Sequence, residues 1–225
     1  MKKIIIIGTG AHASELVDYI DDYNKYCNSS SRIEVKGFID YEYNIEKYHN
    51  KYKLEAPVLG DIDSFITTED DFFIIGIANI PFREKIIKSA EEKNWQFTNF
   101  IHQSCIISKS SNIGIGNVLC PGCIIGANVQ INNFNFLNCY ATISHDCIVG
   151  NNNVLSSYSG IAGHVKINNN NFLSLHSAII PKLSIGSNNI IQAGMIVDKS
   201  INDNEIIFHR FKEKVIAIPK IENNN

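Results

Sequence analysis

No apolar run in this 225-residue chain approaches the roughly 20 residues needed to cross a bilayer. No cluster of lysine and arginine marks a nucleic-acid surface either. The 20 basic residues are outnumbered by 23 acidic ones, for a net charge of −3. Neither a membrane nor a nucleic acid is therefore an expected partner. The charged, apolar opening Met1 to Gly8 lacks the small-residue cleavage region of a secretory signal, so a cytoplasmic location is expected. Metal ligands are short too. No second Cys-x-x-Cys and no nearby histidine pair completes a four-ligand set, and no metal is expected. Cys120-Pro121-Gly122-Cys123 looks like a redox motif, but it falls inside a repeat rather than at the helix N-terminus that would activate a thiol. Cys105, Cys123 and Cys147 share one phase of that repeat, where small side chains should pack, and reduced thiols are expected.

The repeat itself is the strongest signal in the chain. Every sixth residue from Ile101 to Val197 is Ile, Leu or Val, seventeen positions without an exception. A period of six suits neither a helix nor an alternating strand, and it predicts a parallel β-helix built from hexapeptides. Three hexads close one triangular coil, so residues 18 apart stack. The residue after each aliphatic is usually small (Gly114, Gly126, Asn132, Ser144, Gly150), which fits cramped corners where φ turns positive.

The first hundred residues obey another rule. Lys2–Ile7 is a continuous apolar run fit for a buried parallel strand. Ile33–Ile39, Phe72–Ile77 and Gln96–Ile101 read as three more strands. Amphipathic helices are expected after residue 10 and over Pro81–Asn94, with Tyr41–Pro57 as a surface excursion. This alternation predicts a small, Rossmann-like doubly wound sheet over 1–100, a β-helix over 101–200 and a tail over 201–225. Between the first strand and helix, Gly8-Thr9-Gly10-Ala11-His12-Ala13 matches G-x-G-x-x-[G/A]. There glycines admit a phosphate to the backbone and free N–H groups hold its charge. Asp40 closes the second strand, where a carboxylate can accept from a sugar or base. A turn with a purely structural purpose is the alternative. About four strands are too few for a dinucleotide, so a single nucleotide is expected. Gly76-Ile77-Ala78-Asn79 would line the same crevice, with Arg83 within reach of a phosphate or simply exposed on its helix.

Within the repeat, His145 falls at a corner with Asp146 beside it, and one coil later the stacked residue is Gly163. Coils are about 4.8 Å apart. A base, an acidic neighbour and a free backbone N–H would then share one cleft, the set that acyl transfer needs; a plain surface histidine is the alternative. Spacings of 19 and 12 place His164 and His176 off the stack of His145, against a three-histidine metal site. His12, in the glycine turn, would meet the nucleotide or cap the helix.

Together Ile7 to His12, Gly37-Phe38-Ile39-Asp40, Gly76 to Arg83, Ile143 to Gly150 and Gly160 to Val165 resemble the bacterial sugar O-acyltransferases of the sialic acid O-acetyltransferase family. Within that family the chain is most similar to the nucleotide-amino-sugar N-acetyltransferases of the bacillosamine type. The resemblance implies a left-handed β-helix and a homotrimer with active sites between neighbouring β-helices. It makes His145 the general base, oriented by Asp146. Acetyl-CoA would lie in the groove against Gly163, Val154 and Leu175. The nucleotide sugar would meet Gly10, Ala11, His12, Asp40, Tyr41, Ala78 and Asn79. Tyr41 stands where the family often has a carboxylate, and Ala78 where it often has glycine. The usual C-terminal Gly-x-Pro-Ala is absent, with only Ile216 to Lys220 approaching it. The implied activity is acetyl transfer from acetyl-CoA to the amine of a nucleotide-linked 4-amino-4,6-dideoxyhexose. Rival readings are O-acetylation of a sialic acid, a nucleotide-sensing scaffold without catalysis, and NAD-linked oxidoreduction.

Overall fold

The computed structural model of the chain describes residues 2–45, 50–52 and 54–208. Strand β1 (Lys2–Ile7) turns at Gly8 and Gly10 into the 16-residue helix α1 (Ala11–Tyr26). Next come β2 (Ile33–Asp40), two single helical turns α2 (Glu42–Asn44) and α3 (Asn50–Tyr52), β3 (Val58–Asp61), β4 (Phe72–Ile75), helix α4 (Ile80–Glu92) and β5 (Gln96–Phe97). The five strands form one parallel sheet in the order β3-β2-β1-β4-β5. Four apolar residues of β1, Ile4 to Ile7, are wholly buried because helices and loops cover both faces of the sheet.

The sheet therefore has five strands where the sequence predicts four. The added edge strand, Val58–Asp61, is short, half-buried and interrupted by Gly60, which hides its period. The third expected strand ends at Ile75, two residues early. The fourth is cut in two: Gln96–Phe97 completes the sheet, while Phe100–Ile101 is already the first rung of the next unit.

From there to residue 207 the chain is a prism of two-residue parallel strands, stacked in three sheets of six, five and seven strands, a left-handed β-helix. The second residue of each strand faces inward, and Leu119, Leu137, Leu155, Leu173 and Ile191 form one fully buried column of the core. Register is 18 residues up to Val197, as in Leu137 against Leu155. Beyond Val197 the aliphatic period fails, yet one more rung forms. Ile206–Ile207 pairs with Ile190–Ile191 across a coil shortened to 16 residues.

Positive φ falls three residues after the aliphatic, at Tyr140, Asp146, Tyr158 and His164 (φ about 60°), not immediately after it. The small residue after the aliphatic has a different cause. A Cβ on Gly126 would lie 2.7 Å from the backbone nitrogen of His145 in the next coil. One buried polar column was not expected at all. Asn117, Asn135, Asn153, Asn171 and Asn189 are fully buried, and each backbone N–H from 135 onward donates to the side-chain oxygen one coil earlier, at 2.8–3.0 Å. The ladder satisfies groups that would otherwise be orphaned inside the corner.

The two units share a core. Outward residues on one face of the prism, Phe100, Val118, Phe136 and Val154, pack with Leu16 and Ile20 of α1. This junction face fixes the sheet against the β-helix.

Candidate functional site

Two groups of residues stand out, and they lie on different sides of the prism. The first is a cavity of about 400 Å³ at the carboxyl edge of β1 and β4. Gly10, Ala11, His12, Asp40, Tyr41, Ala78 and Asn79 all line it, so the seven residues singled out in the first unit meet in one crevice. Helices α1 and α4 both begin there. Gly10 caps α1 without a side-chain hydrogen bond, and a Cβ at this position would touch nothing within 4 Å. Asn79 caps α4 by accepting from the Phe82 N–H at 3.1 Å. Two helix N-termini opening into one crevice at the end of a parallel sheet make a cradle for an anion such as a diphosphate. Gly76 keeps the wall tight, since a Cβ there would fall 2.9 Å from Ile6 and 3.2 Å from Ala13.

Asp40 lines the crevice but has another task. Its Oδ2 accepts from the Thr9 N–H and hydroxyl, both at 2.8 Å, and its Oδ1 from the Tyr41 N–H and the Asn44 amide at 2.8 and 2.9 Å. Four donors fill both oxygens. Asp40 thus braces the glycine turn instead of offering a free acceptor to a sugar. Tyr41 is a nearly buried wall, stacked on Tyr43 with Lys85 4.2 Å over its ring, and burial raises its pKa. His12 meets Glu15 at 3.2 Å and sets its ring against the edge of Phe136.

Arg83 does not reach the crevice as a phosphate ligand, nor is it exposed. It is fully buried in the junction, with Nε on the Asn152 side chain at 2.8 Å, Nη1 on the Ile77 carbonyl at 2.6 Å and Nη2 on the Phe134 carbonyl. A helix residue looks exposed in sequence when the second body it packs against is 51 to 69 residues away.

The second group occupies the corner 144–147. His145 donates from Nδ1 to Asp146 Oδ2 at 2.7 Å, which leaves Nε2 with its lone pair. The bond from His145, with another from Asn128 at 3.2 Å, holds the Asp146 carboxyl below its usual pKa. Gly163 lies directly over the ring: a Cβ there would sit 2.8 Å from both Cε1 and Nε2. Any side chain at 163 would push the imidazole away. His164 differs from expectation. Although out of register with residue 145, it stacks over Asp146, and its ring stands edge-on to His145 with centroids 5.1 Å apart. Spacing alone missed this because two long rings bridge one register step.

Of the two other groove residues, Leu175 is exposed on the next corner of the prism. Val154 is not available. It is 2 % exposed and packs in the junction core with Phe136, so its side chain has no surface to give a cofactor. Cys120 and Cys123 are buried. Hydrogen bonds to Cys139 and Cys105 respectively, together with burial, keep both thiols protonated, the reverse of an activated redox pair.

The corner 144–147 joins strands 142–143 and 148–149, and neither belongs to the junction face. It is the vertex opposite the sheet. Within one chain, imidazole and crevice are separated by the width of the prism.

A parallel sheet with a crevice at its carboxyl edge, followed by a left-handed hexapeptide β-helix with a histidine corner, is a fold shared with solved two-domain proteins. Residues 3–90 match the PglD N-terminal domain family. PerB from Caulobacter crescentus, solved with CoA and GDP-perosamine, is similar in fold: TM-score 0.77, 24% identity, 92% of this chain and 93% of that one. So is the acetyltransferase domain of PglB from Neisseria gonorrhoeae with acetyl coenzyme A (0.72, 18%, 91% and 95%). WeeI from Acinetobacter baumannii is a third (0.68, 22%, 92% and 96%). No curated protein sequence matches. The resemblance read from the sequence, to sugar acetyltransferases of the bacillosamine type, is borne out by these matches.

Proposed function

We propose that the protein transfers acetyl from acetyl-CoA to the amine of a nucleotide-linked amino sugar, a 4-amino-4,6-dideoxyhexose. The observation that carries this reading is the His145–Asp146 pair set against Gly163. The imidazole has its Nδ1 proton committed to a carboxylate and its Nε2 free beside a glycine that leaves room for a reacting group. His145 takes the proton of the attacking amine as that amine adds to the thioester carbonyl. Asp146 holds the tautomer and stabilises the imidazolium that forms. The Gly163 N–H faces the thioester carbonyl. The first-unit crevice holds the nucleotide through two helix N-termini, and most of the acceleration comes from holding two large substrates together. PerB, with both CoA and GDP-perosamine, supports this pairing of ligands.

The test is a panel of UDP-, dTDP-, GDP- and CMP-linked sugars, followed by release of CoA thiol. The expected result is turnover with a nucleotide 4-amino sugar and none with the deaminated analogue. Turnover with hydroxyl sugars alone would sink N-acetylation. Failure of CoA to bind in calorimetry would leave a non-catalytic scaffold.

The placement of the base opposite the crevice also supports assembly as a homotrimer, with one chain's crevice facing its neighbour's imidazole. Two inactive variants, His145→Ala and Ala11→Glu, should then regain activity when unfolded and refolded together, because a mixed interface in one of its two orientations joins an intact crevice to an intact imidazole. At random mixing roughly a quarter of the interfaces would be whole. A mixture as dead as its components would place both halves of the site in one chain.

A further inference from the structure

Asp146 does more than orient one histidine. Its Oδ2 is 2.7 Å from His145 Nδ1 and 3.9 Å from His164 Nε2, so two imidazole nitrogens flank a single carboxylate oxygen. The three ligand atoms lie within 4.8 Å of one another. Tetrahedral zinc bound at about 2.0–2.2 Å needs ligands about 3.3 Å apart, a change reachable by small side-chain rotations. The backbone under these side chains is fixed by the coil register: the His164 N–H donates to the His145 carbonyl at 3.1 Å. The other carboxylate oxygen is held by Asn128 at 3.2 Å, the outer hydrogen bond that steadies a metal-ligating carboxylate. All three side chains are partly open to solvent, with exposures of 57%, 37% and 52%, which leaves room for a water as fourth ligand.

We infer that His145, Asp146 and His164 form a reversible inhibitory site for a zinc-class divalent cation, occupied in competition with catalysis. Two imidazoles and one carboxylate favour Zn²⁺ over the hard cations Mg²⁺ and Ca²⁺, which take oxygen ligands. The inhibitory half of the inference rests on His145 as the base of the proposed transfer. Ligation at Nδ1 uses the lone pair created when the Nδ1 proton leaves, and a neutral ring must then carry its proton on Nε2. The imidazole keeps one proton, but the nitrogen that faces the amine loses its lone pair. Bound zinc therefore converts the base into the tautomer that cannot accept a proton.

Binding is read by calorimetry with ZnCl₂ on the full chain, and by the absorption of Co²⁺ in the same site. Expected are one ion per chain, d–d bands of a nitrogen–oxygen tetrahedral site without a cobalt–thiolate charge-transfer band, and at least a tenfold weaker affinity in both His164→Ala and Asp146→Asn. Equal affinity in His164→Ala, or a thiolate band from the six cysteines, would overturn the site. For the inhibitory half, EDTA should restore acetyl transfer lost to zinc. His164→Ala, compared with its own metal-free rate, should need at least tenfold more zinc. Zinc that binds without slowing transfer would refute inhibition while leaving the site. A chain that binds zinc as described but acetylates nothing would count against the proposed function alone.

Discussion

His145→Ala is expected to lower kcat for acetyl transfer by about 10²- to 10⁴-fold with little change in either KM. That loss corresponds to roughly 3 to 5.5 kcal/mol of barrier. The reasoning begins with what the side chain does not do. It is 57% exposed, belongs to none of the three core clusters and makes its side-chain hydrogen bond to Asp146. Truncation to alanine thus leaves the coil intact, and unfolding temperature and circular dichroism should not move. What it removes is the imidazole nitrogen directly under Gly163, which in the proposed transfer takes a proton as the amine becomes an ammonium on addition. The first-unit crevice, the proposed nucleotide site, is on the opposite side of the prism and is untouched, which is why the loss belongs in kcat. A variant retaining near-full rate would remove His145 from the mechanism. Equal rises in both KM values with an unchanged kcat would make it a binding residue.

The β-helix was legible from Ile101 to Val197 because its period is simple: inward positions repeat every six residues, the rhythm of a hexapeptide β-helix. The same legibility hid the polar ladder. Asn99, Asn117, Asn135, Asn153, Asn171 and Asn189 are also 18 apart, a signal as regular as the aliphatic one. A search for buried residues that looks only at apolar types passes over it. The crevice was readable because a glycine turn after an apolar strand has one common use, and all of its expected residues meet in one cavity. The chemistry of individual side chains was less so. Asp40 reads as a ligand for sugar, yet the chain's own donors reach it first, because Asn44 follows four residues later on a helical turn. Val154 reads as groove surface, and which face of the prism the sheet would cover is not written in the repeat. His164 reads as isolated since sequence spacing counts backbone register and ignores the reach of a ring.

Arg83→Met should cost about 3 kcal/mol of stability, the largest single loss expected outside the β-helix core. Methionine matches much of the arginine's volume, so a cavity is not the cause. The cause is three hydrogen bonds from one buried group to three separate segments: the Ile77 carbonyl at the end of the sheet, the Phe134 carbonyl and the Asn152 side chain on successive coils. Removing the donors strands buried acceptors, each at about 1–3 kcal/mol. Against that stands the relief of no longer burying a cation that has no carboxylate partner among the described residues. Burial already lowers the guanidinium pKa to about 9, so near neutrality it remains charged and that relief is real. Three acceptors outweigh one charge that is already hydrogen-bonded, and the balance is a net loss. For a chain of this size, about 3 kcal/mol lowers Tm by roughly 6–12 °C. Arg83→Lys should lose nearly as much, because a single ammonium cannot point donors along three fixed directions. Since the clamp ties the crevice to the prism, both variants should unfold the sheet ahead of the β-helix, seen as early loss of Trp95 fluorescence, the one tryptophan and a residue of the sheet's core. A Tm within about 2 °C of the parent for Arg83→Met would mean that the apolar junction alone holds the two units together.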